Sequence, residues 1–312
     1  FFFTHTPAYE ILSGLVGSEM CIRDSFKNIL IVGIGLIGGS ILHALKERSF
    51  SGRVYGIDTN KSAISSAYEL GLILNKDTNL PKELDELCVI LSVPVLSVED
   101  ALSQIDQITN KKDVIYTDTL SVKSSILETL KTLDSRVLKQ FVLSHPIAGS
   151  EQSGFFASSP NLFEDKLSII CPHDDNAEKD ILRIEEFWKF LGSYTKKISA
   201  SDHDDLFAKT SHMPHVISYS LMNTLYKELG DNTFFYSGGS LEDYTRIASS
   251  DPIMWKDIMV SNYEPILSSL NAFKKSLDDL SNLIEKNDSD GLVDFFSEVK
   301  NARDKSILKK ED

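Results

Sequence analysis

The sequence predicts an α/β fold in two parts: a doubly wound, parallel-stranded sheet in the N-terminal half and an all-helical domain in the C-terminal half. Two observations carry this reading. From Phe26 to about Ser199, short apolar, branched runs alternate with stretches of helical spacing, the pattern of parallel strands covered by helices on both faces. After Ser199 the strand signal stops, and apolar residues recur at steps of three and four.

The first strand is Lys27-Asn28-Ile29-Leu30-Ile31-Val32, a buried-type run that ends in glycine, and a helix over 36–48 follows it. Arg53-Val54-Tyr55-Gly56-Ile57-Asp58 makes a second strand, and residues 61–70 a second helix closed by Gly71. Further strands are expected over 87–93, 114–118, 140–144, 167–171 and 194–198. In the second half, 202–229 reads as one long helix that Pro214 can kink. Ile266, Leu270, Phe273, Leu277, Leu280 and Ile284 mark an apolar stripe on another, and Leu292, Phe295, Val299 and Ala302 on a third. Such stripes are packing surface, and subunit contact is one use for them. The expected division is a sheet domain over 26–199 and a helical domain over 200–312, joined without a low-complexity linker.

Residues 1–25 stand apart. They have no basic segment ahead of an apolar core, as a signal peptide would, and neither helical nor strand periodicity. The string SGLVGSEMCIRDS resembles translated sequencing-adapter sequence, so this leader is expected to be non-native or disordered and to stand outside the fold.

Composition narrows the partners. The chain of 312 residues carries a formal charge of −14, which disfavours a nucleic-acid backbone or an anionic membrane as the main partner. No apolar run reaches the roughly 18–20 residues that span a bilayer. Cys21, Cys88 and Cys171 are odd in number and lack metal-type spacing, which fits a reducing, cytoplasmic setting and no disulfide framework.

Gly33-Ile34-Gly35-Leu36-Ile37-Gly38 is G-x-G-x-x-G. The motif alone is weak, but here it follows a strand and opens a helix, the context of a Rossmann dinucleotide site. Gly33 permits the tight turn, Gly35 lets a pyrophosphate approach the backbone, and Gly38 allows close helix–strand packing, with phosphates at the helix N-terminus. Asp58 ends the second strand, where a carboxylate accepts hydrogen bonds from ribose hydroxyls and repels a 2′-phosphate. NAD is therefore expected over NADP, although nearby Lys61 blurs the preference.

Chemistry-bearing residues cluster after later strands, where an open α/β sheet presents its ligand crevice. Asp118 to Lys123 (DTLSVK) follows one strand and Ser144 to Glu151 (SHPIAGSE) the next. His145 can take a proton from a hydroxyl as hydride leaves, with Ser121 orienting the imidazole. In the helical half, Arg246 suits a substrate carboxylate, or alternatively pairs with Asp243. His203, His212 and His215 lack an accompanying acidic or thiol ligand set, so no metal is expected.

GIGLIGGS, TDTLSVK, SHPIAGSE, SHMPH and DYTRIASSDPIMW, in this order from about Phe26 to Trp255, together resemble the prephenate dehydrogenase family, including its arogenate-using and cyclohexadienyl variants. The resemblance implies a Rossmann domain followed by a helical dimerisation domain, hence a homodimer. It also implies NAD(P)-dependent oxidative decarboxylation of prephenate or L-arogenate in tyrosine biosynthesis. Carried over by motif, His145 resembles the catalytic histidine that hydrogen-bonds the ring hydroxyl, Ser121 the serine that supports it, and Arg246 the arginine that holds a carboxylate. Ser150, Glu151, His203, His212, His215, Asp243 and Trp255 match positions that line or support the pocket; Ser150 stands where Thr is common. Control through an appended regulatory domain is not expected. Two other readings compete: a different Rossmann-plus-helices hydroxyacid dehydrogenase, with Lys209 as its candidate lysine, and a non-catalytic NAD-binding sensor. The first leaves SHPIAGSE and DYTRIASS unexplained; the second has no need of His145, Ser121 and Arg246 together.

Overall fold

The computed structural model describes residues 26–81, 84–109 and 114–311; the leader expected over 1–25, with Cys21, lies outside the described residues. Among the described residues seven strands form one sheet in the order β2-β1-β3-β4-β5-β6-β7. They are β1 (Asn28–Val32), β2 (Arg53–Ile57), β3 (Leu87–Leu91), β4 (Val114–Asp118), β5 (Phe141–Pro146), β6 (Leu167–Cys171) and β7 (Tyr194–Lys197). β1, β3 and β4 are buried along their whole length, as runs such as NILIV and LCVIL require of central strands covered on both faces. One core lies under α1 (Leu36–Glu47), α2 (Lys61–Glu69) and α6 (Glu178–Phe190), around Ile29, Ile31 and Trp188. The other lies under α3 (Val98–Thr109), α4 (Ser124–Thr132) and α5 (Ser135–Gln140), around Leu30, Val89 and Tyr116.

The sheet is not parallel throughout: β6 runs antiparallel to β5, pairing His145 with Ile169. A parallel return needs a crossover of a dozen or more residues, usually a helix. The segment between Pro146 and Leu167 instead holds a loop with one short 3₁₀ turn, Phe155–Ala157, which packs on α1. Strand ends also move. β3 stops at Leu91 rather than 93, so Ser92 and Val93 belong to a loop, whereas β5 runs on through His145 and Pro146. His145 is therefore the penultimate residue of the strand and not past it.

Beyond β7 the chain is helical. The single helix expected over 202–229 is two helices, α7 (Ala200–Phe207) and α8 (Met213–Leu229), joined by a π-helical turn over Ala208–His212. Pro214 falls in the first turn of α8, where its missing N–H costs nothing, and the widened turn takes up the interruption. α9 (Gly239–Thr245), α10 (Pro252–Ser261), α11 (Tyr263–Glu285) and α12 (Ser289–Glu311) follow. On α11 only the first stripe position, Ile266, is buried; Leu277 is 46 % and Ile284 60 % exposed. The periodicity is real, but the stripe is only partly covered among the described residues, with Leu270, Phe273 and Leu280 half-buried. No described helix is long and apolar enough to cross a membrane.

Candidate active site

At one end of the site the geometry is set by missing atoms. Gly33 has φ +95°, and a Cβ there would lie 2.3 Å from the Ser92 carbonyl oxygen, so no other residue fits the turn. A Cβ at Gly38 would sit 2.0 Å from the Gly33 oxygen, which fixes how closely α1 approaches β1. Gly35 is different. A Cβ there would meet nothing within 4 Å, because that position opens on a cavity lined by Gly35, Leu36 and Ile37. No side chain caps α1, so its first-turn N–H groups and the positive helix end are left for an anion. Asp58 stands just past β2. Its Oδ2 accepts the Ile34 N–H at 2.5 Å and its Oδ1 that of Asn60 at 2.7 Å. A carboxylate has about four acceptor sites, so capacity for ribose hydroxyls remains. This cradle fits a dinucleotide.

The cavity, about 490 Å³, runs from the glycine turn past the loop after β3 (Ser92, Val93, Pro94, Val95) to Thr119, Ser121 and His145. Ser150 and Glu151 form part of its rim, and Asp251, Ile253, Met254 and Ile258 bring the helical half to the opposite wall.

The floor rests on a buried polar network. The β4–β5 ladder ends at Thr117–Val142, and beyond it side chains hold the two strand ends together. The Asp118 carboxylate accepts the Ser144 N–H at 2.9 Å and pairs with Lys123, whose Nζ also donates to the Ser144 carbonyl at 2.7 Å. Asp118 and Lys123 are both fully buried; burial pushes the Asp118 carboxyl up, and the Lys123 ammonium opposes it. Ser144 Oγ lies 2.8 Å from Thr117 Oγ1 and accepts the Trp188 Nε1–H at 3.0 Å. With its neighbours pinned this way, His145 is fixed at the strand end.

The His145 ring lies between α7 and the cavity. Its Nδ1 is 2.8 Å from Nε2 of His203, and His203 Nδ1 is 2.8 Å from Asp204 Oδ1. Phe207 packs on both imidazoles, with centroids at 5.0 and 4.5 Å. Burial first, then the positive potential of His203, Lys123 and His212, hold the His145 imidazole well below its usual pKa. It is therefore neutral near pH 7, the form a base requires. Burial likewise lowers His203, although Asp204 works against it.

The other expected residues fall into four groups. Ser121 shares the cavity with His145, but among the described residues no hydrogen bond joins them, and the imidazole is oriented by His203 instead. Arg246 pairs with Glu151 at 2.6 Å rather than with Asp243, which is exposed on α9; this replaces the Asp243 pairing considered from the sequence. His212, His215 and Trp255 sit beside the cavity rather than on its lining. The His215 ring stacks on Trp255 at 3.6 Å, His212 Nδ1 lies 3.1 Å from Asn262 Nδ2, and burial pushes His212 down to about 4. Trp255 packs with Val122 and Ile258, supporting the Ser121 turn and the cavity wall. Lys209 is exposed, paired with Asp205 at 2.6 Å and absent from the lining, which removes the lysine that the rival dehydrogenase reading needs.

The apolar run that predicts a strand to 93 hides the Ser92–Val95 loop, and nothing in the sequence assigns a role to Asp204. A polar residue immediately after a candidate site histidine was the available signal.

The family model for the nucleotide-binding domain of prephenate dehydrogenase matches residues 41–197, and that for its dimerization domain matches 199–298. A cyclohexadienyl dehydrogenase of Zymomonas mobilis is 35 % identical over 89 % of this chain and 95 % of its own length. A prephenate dehydrogenase of Bacillus subtilis is 30 % identical over 88 % of this chain and 75 % of its own. The crystal structure of prephenate dehydrogenase from Aquifex aeolicus, in complex with hydroxyphenyl propionate and NAD⁺, superposes with a TM-score of 0.81 at 36 % identity, covering 89 % of this chain and 98 % of that one.

Proposed function

The chain belongs to the prephenate dehydrogenase family, and on that premise we propose that His145 is the base in an NAD-dependent oxidative decarboxylation of prephenate or L-arogenate. The observation that carries this reading is the placement of His145: a neutral, rigidly held imidazole in the same cavity as the glycine cradle. The substrate ring bears a hydroxyl at C4 and a carboxylate at C1. Bound NAD, held by the glycine turn and Asp58, would supply the acceptor for the C4 hydride. His145 takes the hydroxyl proton as C4 becomes a carbonyl. The C1–carboxylate bond then breaks, its electron pair enters the ring as carbon dioxide leaves, and the oxygen, now phenolic, takes a proton back.

Around this step Leu36 and Ile37 offer backbone N–H groups to the pyrophosphate, Asp58 holds the ribose, and Ser121 orients the substrate hydroxyl. Arg246, poised beside Glu151 at the rim, holds a carboxylate. Ser150, His203, His212, His215 and Trp255 shape or brace the pocket, and Asp243 lies on the same helix as the approach to Arg246. The functional division follows 26–199 for cofactor and base, and 200–312 for the opposite wall and the subunit contact. The partly exposed stripe on α11 and α12 fits a homodimer through the helical half, and a reducing cytoplasm suits the free thiols of Cys88 and Cys171.

Prephenate and NAD, followed at 340 nm, should give NADH and carbon dioxide in equal amounts. A parallel run with L-arogenate assigns the preferred side chain. NADH formed without carbon dioxide, or only from simple hydroxyacids, would overturn the assignment.

A further inference from the structure

The reaction returns the proton it borrows, so the site must hold one proton while carbon dioxide leaves. We infer that His203 and Asp204 are positioning residues that fix the tautomer of His145 and keep this proton between the two imidazoles until the phenol forms. The inference rests on the reading of His145 as base.

The donors and acceptors leave one assignment. Asp204 accepts the N–H of Lys123 at 2.8 Å on Oδ1 and that of Ser124 at 2.7 Å on Oδ2, at the N-terminal end of α4. Burial alone would raise its carboxyl, but the bonds from His203, Ser124 and Lys123 outweigh that and hold it low. An ionised carboxylate only accepts, so His203 Nδ1 carries hydrogen. In a neutral His203 the other nitrogen, Nε2, is then an acceptor, and His145 Nδ1 must be the donor across the 2.8 Å contact. That leaves Nε2 of His145, which has no protein partner among the described residues, as a lone pair for a ligand.

Proton transfer then runs along the same line. When His145 Nε2 gains the hydroxyl proton, its Nδ1 proton can pass to His203 Nε2. The positive charge thereby moves onto an imidazolium beside Asp204, 2.8 Å from the carboxylate, and the reverse shift gives the proton back. The pair can hold one proton and not two. Lys123 with its partner Asp118 lies behind β4, His212 lies in the π turn, and Glu151 and Asp251 stand on the cavity wall; the first and second of these groups disfavour a second positive charge on His145. Phe207 covers both rings and keeps bulk water from replacing His203 as the acceptor. His145 comes from the sheet domain and His203–Asp204 from the first helix of the helical domain, so the store exists only when the two halves are docked.

The test compares Asp204→Asn, His203→Gln and His145→Asn by kcat, KM and the pH profile of kcat/KM. An asparagine amide can donate to His203 Nδ1 and so reverse both tautomers; Asp204→Asn should lower kcat by roughly 10²-fold or more with KM within about threefold. Its acidic limb should move to lower pH, because the carboxylate that favours the bound proton is gone. His203→Gln can bridge the two partners but cannot carry a proton, and it does not touch the α4 cap. It should fold normally and still lose at least about tenfold in kcat. If both variants stay within threefold of wild type in kcat with an unmoved limb while His145→Asn is inactive, the store is wrong and the base stands. If His145→Asn is itself active, the base reading has failed first.

Discussion

The two ends of the cavity are built by opposite means. At the glycine end the shape comes from atoms that are absent and from backbone, chiefly residues 33–38 with the Ser92 carbonyl against Gly33, and Asp58 adds a carboxylate. At the histidine end everything is side chain and partner: His145 leans on His203, which is 58 residues away, Lys123 on Asp118 and Ser144, and Arg246 reaches Glu151 across 95 residues. The first kind of site can be read from a short string. The second exists only once the sheet and the helical half have met. Its energetics differ too, since a buried network is costly to break piecemeal, whereas an open cradle tolerates change in everything but its ligand.

The largest expected effect lies at the histidine end. His145→Asn should cut kcat by roughly 10²–10⁴-fold and leave the Kd for NAD within about threefold, because the glycine turn is untouched. Equal loss of NAD binding in a calorimetric titration would show that the two ends are not independent.

Arg246→Ala comes next. Its guanidinium and the Glu151 carboxylate are partly exposed, so the pair adds little to stability and Tm should hardly change. Loss of a charge-assisted contact to substrate should raise KM by about tenfold or more. An unchanged KM with a lowered Tm would make Arg246 a structural partner of Glu151.

Gly35→Ala sharpens the contrast from the other side. With φ −85° and open space where its Cβ would lie, the change should leave Tm unaltered or slightly higher. NAD affinity alone should fall, by about tenfold, since the methyl group occupies the approach of the pyrophosphate. A destabilised protein with normal NAD affinity would mean that the cradle is structural.

What was legible follows the same divide. The glycine turn, Asp58 and the strand–helix alternation were readable because each depends on the spacing of a few residue types within a short stretch of chain. The antiparallel β6 was legible in principle, since residues 147–166 contain no helix-length apolar period and so no crossover. The π turn was not, because Pro214 marks an interruption without saying whether the helix kinks, breaks or widens. Nor was the orientation of His145, since nothing in SHPIAGSE names a histidine at position 203. The sequence pairs His145 with Ser121 and places His203 only among the residues around the pocket; the fold brings His203, with Asp204 behind it, onto the imidazole. The burial of Lys123 was equally hidden, because a lysine in TDTLSVK reads as a solvated loop residue until β4 and β5 close around it.

The smallest effect concerns Asp58. Asp58→Asn should weaken NAD use severalfold and raise NADP use, as the negative charge against a 2′-phosphate is removed. Since Asp58 also accepts the Ile34 N–H, some loosening of the turn should accompany it, seen as a modest drop in Tm. A wild type that already prefers NADP would contradict the assignment.

The claim that a neutral, half-buried His145 is the base is tested most directly by the pH dependence of kcat/KM with prephenate and saturating NAD. Burial and its cationic neighbours hold this imidazole well below 6.5, so it stays unprotonated as pH falls through neutrality. The account predicts a flat profile from pH 8 down to about 6.5, an acidic limb only below that, and loss of the limb in His145→Asn. An acidic limb centred at or above pH 6.5, or one that survives in His145→Asn, would contradict it.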